Sequence, residues 1–516
     1  MPHSHRHRRF HEPLSIKPEA SFPGADQKQP PPIHPLERAL LAVVAVHLVF
    51  LPWALGTMHV WSQSVSFGLS AVSFGLALRP RHYSEDYTDG HPFHLHTLPK
   101  LFRFPIFWLG ILFLAYILIQ ALNPAWEYVT DGRSWWLKGV PCIRWLPKGM
   151  RTPFGQANPW RSMMIYSSAW MTACAVWIGF TRRKTLRMLL VILAVDAFVL
   201  ALLGLAQRAD GASKIFWSWT PPASYFVSSF IYRNHAGAYF DLLLAVTCAL
   251  AFWFYRRQAR RQEQSSPAIL FGLFATVIAG IVLYSYSRGA TLLMFGFLTG
   301  IALIFARPLF SQSGSSRSPL IAATLIAACV GFAGLSLFSL KTDRISERMQ
   351  ELGKDIQAGE NYGRWIMARA TWEMAQDRLV TGRGAGSFQY YFPVVQAHYP
   401  ELCAPPEAPN RHLFWEHAHD DYLELLNELG VVGCSLLAAG VLYYIVRLAM
   451  LRVWRNPPIA ILLLGCLVTM LHAAIDFPFF NPAILITWCC LWPVMIRWLE
   501  IERQRHGTTS PLAADH

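Results

Sequence analysis

The chain has 516 residues, of which 53% are hydrophobic, including 20 Trp and 33 Phe, and its mean hydropathy is positive. That is more apolar surface than a soluble core of this size requires, which excludes an ordinary water-soluble globular fold. The net charge of +14 comes from 45 Lys and Arg against 31 Asp and Glu. Much of it sits in loops between apolar runs, so membrane topology and anionic lipid explain it without a nucleic-acid partner.

Residues 1–38 are rich in Pro and His and have no apolar period, which predicts a disordered cytoplasmic tail without a cleavable signal. His3, His5 and His7, like His91, His94 and His96 further on, lack acidic or Cys companions at zinc-site spacing, so no metal site is expected.

Apolar runs begin near Ala39, Trp61, Pro105, Ser162, Leu186, Ala236, Ala268, Ala290, Pro319, Gly430, Pro458 and Asn481. A window of about 19 residues crosses a hydrocarbon core roughly 30 Å thick, so these predict about twelve spans in an all-α polytopic membrane protein. Alternate connections are basic, among them Arg79/Arg81/Lys100/Arg103, Arg182/Arg183/Lys184/Arg187, Arg256/Arg257/Arg260/Arg261 and Arg447/Arg452/Arg455. By the positive-inside rule these are cytoplasmic, as are both termini.

The stretch from Asn123 to Arg161 departs from that rule: it is external yet holds Arg133, Lys138, Arg144, Lys148 and Arg151 among Trp126, Trp135, Trp136, Trp145 and Trp160. It reads as an interfacial aromatic belt with snorkelling cations, or alternatively as a surface for a phosphorylated or sugar-rich ligand. Of the nine Cys, only Cys142 and Cys403 fall in external loops, where an oxidising exterior would let them pair.

The expected organisation is a tail (1–38), a bundle of nine helices (39–340), a large external loop (341–429), three last helices (430–498) and a second tail (499–516). Within the loop, the Gly-x-Gly-x-Gly string Gly382, Gly384, Gly386 follows no apolar strand, so it reads as a sharp turn and not as a nucleotide cradle.

The loop ends in HAHDDYLELLNELG, in which His417 and His419 precede a helical pattern. At 100° per residue, His419, Tyr422, Leu423 and Leu426 share one face, and Asp421, Glu424 and Glu428 another. An imidazole ordinarily titrates near neutrality, which makes His419 a candidate general base; the plainer alternative is that both histidines only cap the helix.

Arg233 in YRNHAGAY, Arg288 in YSYSRGA and Arg364 fall on the same predicted side. Arginine grips phosphate oxygens with parallel hydrogen bonds, so fixed cations beside a histidine suit a pyrophosphate ester. Asp476 occupies a similarly tight external turn in HAAIDFPFFNPA.

From Arg233 to Ala483 these pieces resemble the bacterial O-antigen ligase and polymerase superfamily. Arg233-Asn234-His235, Ser287-Arg288-Gly289, Gly363-Arg364-Trp365 with GRGAGSF, and His419-Asp420-Asp421-Tyr422-Leu423 with Glu428 and Gly430 occur in the family's order, closed by His472 and Asp476-Phe477. The resemblance implies an inverting glycosyltransferase that needs neither metal nor other cofactor. It implies His419 as catalytic base, Arg288 and Arg364 on the pyrophosphate of an undecaprenyl-linked glycan donor, and Arg233 and Asp476 as further binding residues. The acceptor would be lipid A-core in lipopolysaccharide biosynthesis, a growing polysaccharide, or a protein, at the periplasmic face of a bacterial inner membrane. The family's usual Asn after the motif histidine is Asp420 here, a change expected to reorient His419 or raise its basicity. From another class, a transporter of a lipid-linked or anionic solute would use the same arginines as a pathway. The concentration of charge in loops, with few ionisable groups such as Asp196 and Asp241 in apolar runs, favours the enzyme.

Overall fold

The computed structural model describes residues 31–87, 92–222, 225–261, 265–311, 361–403 and 413–508. The expected run at Pro319 and the first part of the large loop lie outside the described residues. Every other expected apolar run is a helix. Six of them are long and apolar enough to cross a membrane: Pro35–Trp53, Pro105–Leu122, Arg183–Ala209, Arg233–Arg260, Asp421–Met450 and Pro482–Gln504. Ala268–Tyr284, Arg288–Leu303 and Pro457–His472 are shorter apolar helices among them. The protein is all-α and polytopic.

Packing follows the small residues. Gly465 of Pro457–His472 would place a Cβ 2.2 Å from Ala245 Cβ, so this helix and Arg233–Arg261 approach more closely than larger side chains permit. The same logic brings Pro159–Gly179 against Pro105–Leu122, where the Trp170 indole occupies the space above Gly110.

The stretch after Asn123, expected to be external, is not a plain loop. Pro124–Thr130 (β1), Trp135–Gly139 (β2) and Gly149–Arg151 (β3) form a three-stranded sheet in the order β2-β1-β3, with β1 and β2 antiparallel. The strand period of two alternates faces, and the register Thr130↔Trp135 and Tyr128↔Leu137 puts Tyr128 and Trp135 on one side of the hairpin. Cys142 and Cys403 are both free thiols, and Cys403 Sγ lies 3.3 Å from Gln396 O, so the pairing the sequence allowed is not made.

The described part of the large loop carries helices Asn361–Gln376 and Phe388–Gln396, joined through the glycine turn. That turn docks on a break in Asp421–Met450, where Gly430 adopts φ 64° and ψ −176°. The break frees backbone carbonyls, and Arg383 N and Gly384 N donate to Asn427 O (2.9 Å) and Glu428 O (2.8 Å). Gly382, at φ +69°, tolerates no side chain: a Cβ there would lie 2.2 Å from Glu428 O. The Gly-x-Gly-x-Gly string is therefore a turn, made of glycine because backbone meets backbone. The Tyr116 hydroxyl, 2.6 Å from Thr381 O and 2.8 Å from Leu429 O, ties the junction to Pro105–Leu122.

Candidate active site

The segment after Pro457–His472, from Ala473 to Phe477, is where distant parts of the chain meet. Asp421 N donates to Ala473 O (2.9 Å), and Asp421 Oδ2 accepts from Phe479 N (3.0 Å), so the start of Asp421–Met450 is pinned to this turn. Arg364 Nη1 donates to Ile475 O (2.9 Å). The beginning of Arg233–Arg261 arrives through Asn234 Nδ2, which donates to Asp476 Oδ2, and through the His235 ring, 3.2 Å from Phe477 O. Arg288–Ser311 starts beside it as well, since a Cβ on Gly289 would lie 2.9 Å from Ile475 Cδ1 and 3.5 Å from His472 Nε2.

His419 stands immediately before the helix, at φ 56°, a left-handed conformation that a non-glycine residue holds only when its surroundings impose it. It is thus not on the helical face expected from periodicity. Its Nδ1 lies 3.4 Å from Asp476 Oδ1, and its side chain is 24% exposed against 4% for Asp476. Burial alone would push the Asp476 carboxyl up, but the facing His419 imidazole, with His472 and His235 nearby, holds it down to about 2. Asp476 stays ionised, and with Nδ1 turned to it the imidazole presents Nε2 on its other side.

Asp420, the residue after His419, is the N-cap of Asp421–Met450. Its Oδ1 accepts from Tyr422 N (3.0 Å) and Leu423 N (3.1 Å), an N-cap that engages the carboxylate with helix amides instead of the ring. An Asn or an Asp caps a helix about equally well, so either residue would serve at this position.

Arg288 is half-buried at the first turn of its helix, next to the Gly289 contact. Arg364 is exposed and spends one N–H on Ile475 O, out of the five its guanidinium carries. Arg233 lies over the Tyr225 ring at 5.1 Å. All five residues singled out in the sequence therefore stand on elements that meet at or beside the 473–477 turn, with His419 and Asp476 facing each other.

Residues 273–438 match the family model described as O-Antigen ligase. Over that segment, about a third of the chain, the protein is similar to the O-antigen ligase and polymerase superfamily. The matched stretch holds Arg288, Arg364 and His419 and leaves Arg233 and Asp476 outside. No curated protein matches the chain.

The matched segment also contains a second histidine–carboxylate pair, which sequence reasoning missed. His417 Nδ1 lies 2.8 Å from Glu424 Oε1, and Glu424 Oε2 accepts from Ala418 N (2.7 Å). Burial pulls the His417 imidazole down, but the Glu424 charge and hydrogen bond outweigh it and leave it raised. Glu424, Glu428 and Asp421 are each 3% exposed or less, so the carboxylate face of this helix is the inward one and Tyr422 the outward one, at 44%. Phe477 separates the two histidines, 4.4 Å from the His417 ring and 4.9 Å from the His419 ring. The signal for Phe477 was present in the sequence as the residue after Asp476; that for Glu424 was not, because seven residues across a loop–helix junction correspond to no regular spacing.

Proposed function

We propose that this protein is a membrane glycosyltransferase of the O-antigen ligase type, which moves a glycan from undecaprenyl pyrophosphate to an acceptor hydroxyl at the periplasmic face of a bacterial inner membrane. The observation that carries this reading is the convergence of the Arg233, Arg288, Arg364 and His419 segments on the Asp476 turn, within a chain whose 273–438 segment matches O-antigen ligase.

The Asp476 carboxylate faces the Nδ1 side of His419 at 3.4 Å and favours the proton there, so the Nε2 lone pair takes the proton of the attacking hydroxyl. The acceptor oxygen forms the new bond to the anomeric carbon as the bond from that carbon to the pyrophosphate oxygen breaks, with inversion. The electron pair leaves on the pyrophosphate, and Arg288 and Arg364 offset the charge that grows there. The activated donor supplies the driving force. Ligase, polymerase and protein glycosyltransferase activities share these steps and differ in the acceptor.

The test is reconstitution of wild type and His419→Ala in liposomes with an undecaprenyl-pyrophosphate glycan and a panel of acceptors. Release of undecaprenyl pyrophosphate and the mass of the product are followed. Release that requires both an acceptor and His419 is the expected result. Intact donor relocated across the bilayer, with no bond broken, would establish transport instead.

A further inference from the structure

On the His417 side of Phe477 lies a cavity of about 470 Å³, between the 124–151 sheet and the external loop. Its walls include Tyr128, Trp135, Phe388, Tyr390 and Phe414. The first two share a face of the β1–β2 hairpin by the register given above, and that face meets Tyr390: its ring centroid is 5.6 Å from Tyr128 and 6.1 Å from Trp135, both edge-on. Polar groups converge on the same space from His417, Glu416, Glu424, Glu428 and Gln389. The volume falls in the range that holds small organic ligands.

The charge distribution decides which ligand. Arg161 lines the cavity, but its guanidinium is committed to its own wall: Nε donates to Gln63 Oε1 (2.7 Å), Nη2 to Met58 O (2.5 Å) and Nη1 to Gly155 O (3.2 Å). The carboxyl groups are engaged as well, Glu424 with His417 and Ala418 N and Glu428 with Phe388 N, so among the described lining residues no uncommitted cation is left for a phosphate, while Glu416 and Gln389 offer acceptors to a neutral polyol. Aromatic faces suit the C–H faces of pyranose rings, and ringed carboxylates and amides suit their hydroxyls. The cations Arg288 and Arg364 stand instead at the 473–477 turn.

We infer that this aromatic cavity is a saccharide subsite that holds an uncharged sugar residue against His417, whose ring contacts the same Phe477 that His419 contacts. The assignment of that sugar to a transferred or an accepting glycan rests on the transferase reading; the binding itself does not. Of the two readings of the external Trp-rich stretch, this one favours sugar and disfavours phosphate.

The full-length protein in lipid nanodiscs, as His419→Ala to prevent turnover, is titrated with a panel of neutral mono- to trisaccharides by saturation-transfer NMR, with inorganic pyrophosphate as competitor. The expected result is binding by at least one saccharide, weakened about tenfold by Trp135→Ala, restored by Trp135→Phe and insensitive to pyrophosphate. Binding unchanged by Trp135→Ala, displacement by pyrophosphate, or no binding by any saccharide would overturn the inference. In wild-type kinetics, Trp135→Ala should raise KM for one substrate with kcat nearly unchanged, and whether that substrate is the donor or the acceptor names the source of the sugar. If wild type transfers no glycan, the transferase reading fails while the binding arm still decides the subsite.

Discussion

Asp476→Asn is the most direct probe of the site, because it keeps the side-chain volume and removes only the charge and one acceptor. In the native turn, Oδ1 faces His419 Nδ1 at 3.4 Å and accepts from Phe477 N at 3.0 Å, while Oδ2 accepts from Asn234 Nδ2. An amide has one acceptor and one donor group, so in either orientation its NH₂ meets a donor. A hydrogen bond to a charged group contributes about 1.5–3 kcal/mol, and a ring released from its orienting carboxylate can adopt the tautomer that protonates Nε2. Together these effects predict a fall in kcat of about 100-fold, with KM for donor and acceptor changed by less than about threefold.

A second readout follows from linkage. The folded Asp476 carboxyl is lowered to about 2 from its ordinary 3.8. A depressed carboxylate stabilises the fold above its unfolded value, and that contribution is lost as pH falls through the folded one. Its size at neutral pH is about 2 kcal/mol. Wild type should therefore lose that increment between about pH 5 and pH 2, and Asp476→Asn should lack this part of the pH dependence. Denaturant unfolding in detergent across that range, beside single-turnover transfer at pH 7, tests both. Activity within about threefold of wild type would refute the orienting role, and superimposable stability curves would refute the charge pairing with His419.

Three further perturbations address neighbouring claims. Asp420→Ala should cost about 1 kcal/mol of thermal stability through the lost N-cap while Asp420→Asn costs almost nothing, and neither should shift the pH–rate profile, since Asp420 serves the helix and not the ring. Gly382→Ala should destabilise by about 1–3 kcal/mol in a melting experiment, because φ +69° and the Glu428 carbonyl leave no room for Cβ. Glu424→Gln removes the partner of His417, whose raised imidazole stabilises the fold below the ordinary histidine range and loses that effect as pH rises through the folded value; wild type should lose stability over that interval and the variant should not, as read by urea midpoints.

Much of this architecture was legible in the chain because crossing a bilayer is a requirement on length and composition, which the sequence states directly. Each apolar run within the described residues became a helix. Arg288 and Asp476 were legible for a similar reason, since an ionisable group in a short turn between apolar runs is costly and the cost marks it, whereas Arg233, Arg364 and His419 were legible through the order of the short motifs that carry them. The sheet at 124–151 was hidden because its Trp and Lys content matched an interfacial belt and masked the alternation of Trp126, Tyr128 and Thr130. Which face of Asp421–Met450 turns inward was not legible, because burial of Asp421, Glu424 and Glu428 depends on partners that arrive from elsewhere: Phe479 N for Asp421, His417 for Glu424, Phe388 N for Glu428.

Those partners also explain how one short motif can serve two neighbouring environments. A helix that started at His417 would project its two histidines some 200° apart, on rings with nothing in common. Here the helix starts only at Asp421, the cap falls on Asp420, and the left-handed turn at His419 lets both imidazoles contact the same phenyl ring of Phe477. Each ring then meets a different carboxylate, Asp476 on the side where the arginine-bearing elements end and Glu424 on the side of the aromatic cavity. The proposed reaction, which joins a sugar hydroxyl to an anomeric carbon while expelling a pyrophosphate, would use that division, because groups that attract the leaving anion would otherwise compete with those that hold the uncharged sugar.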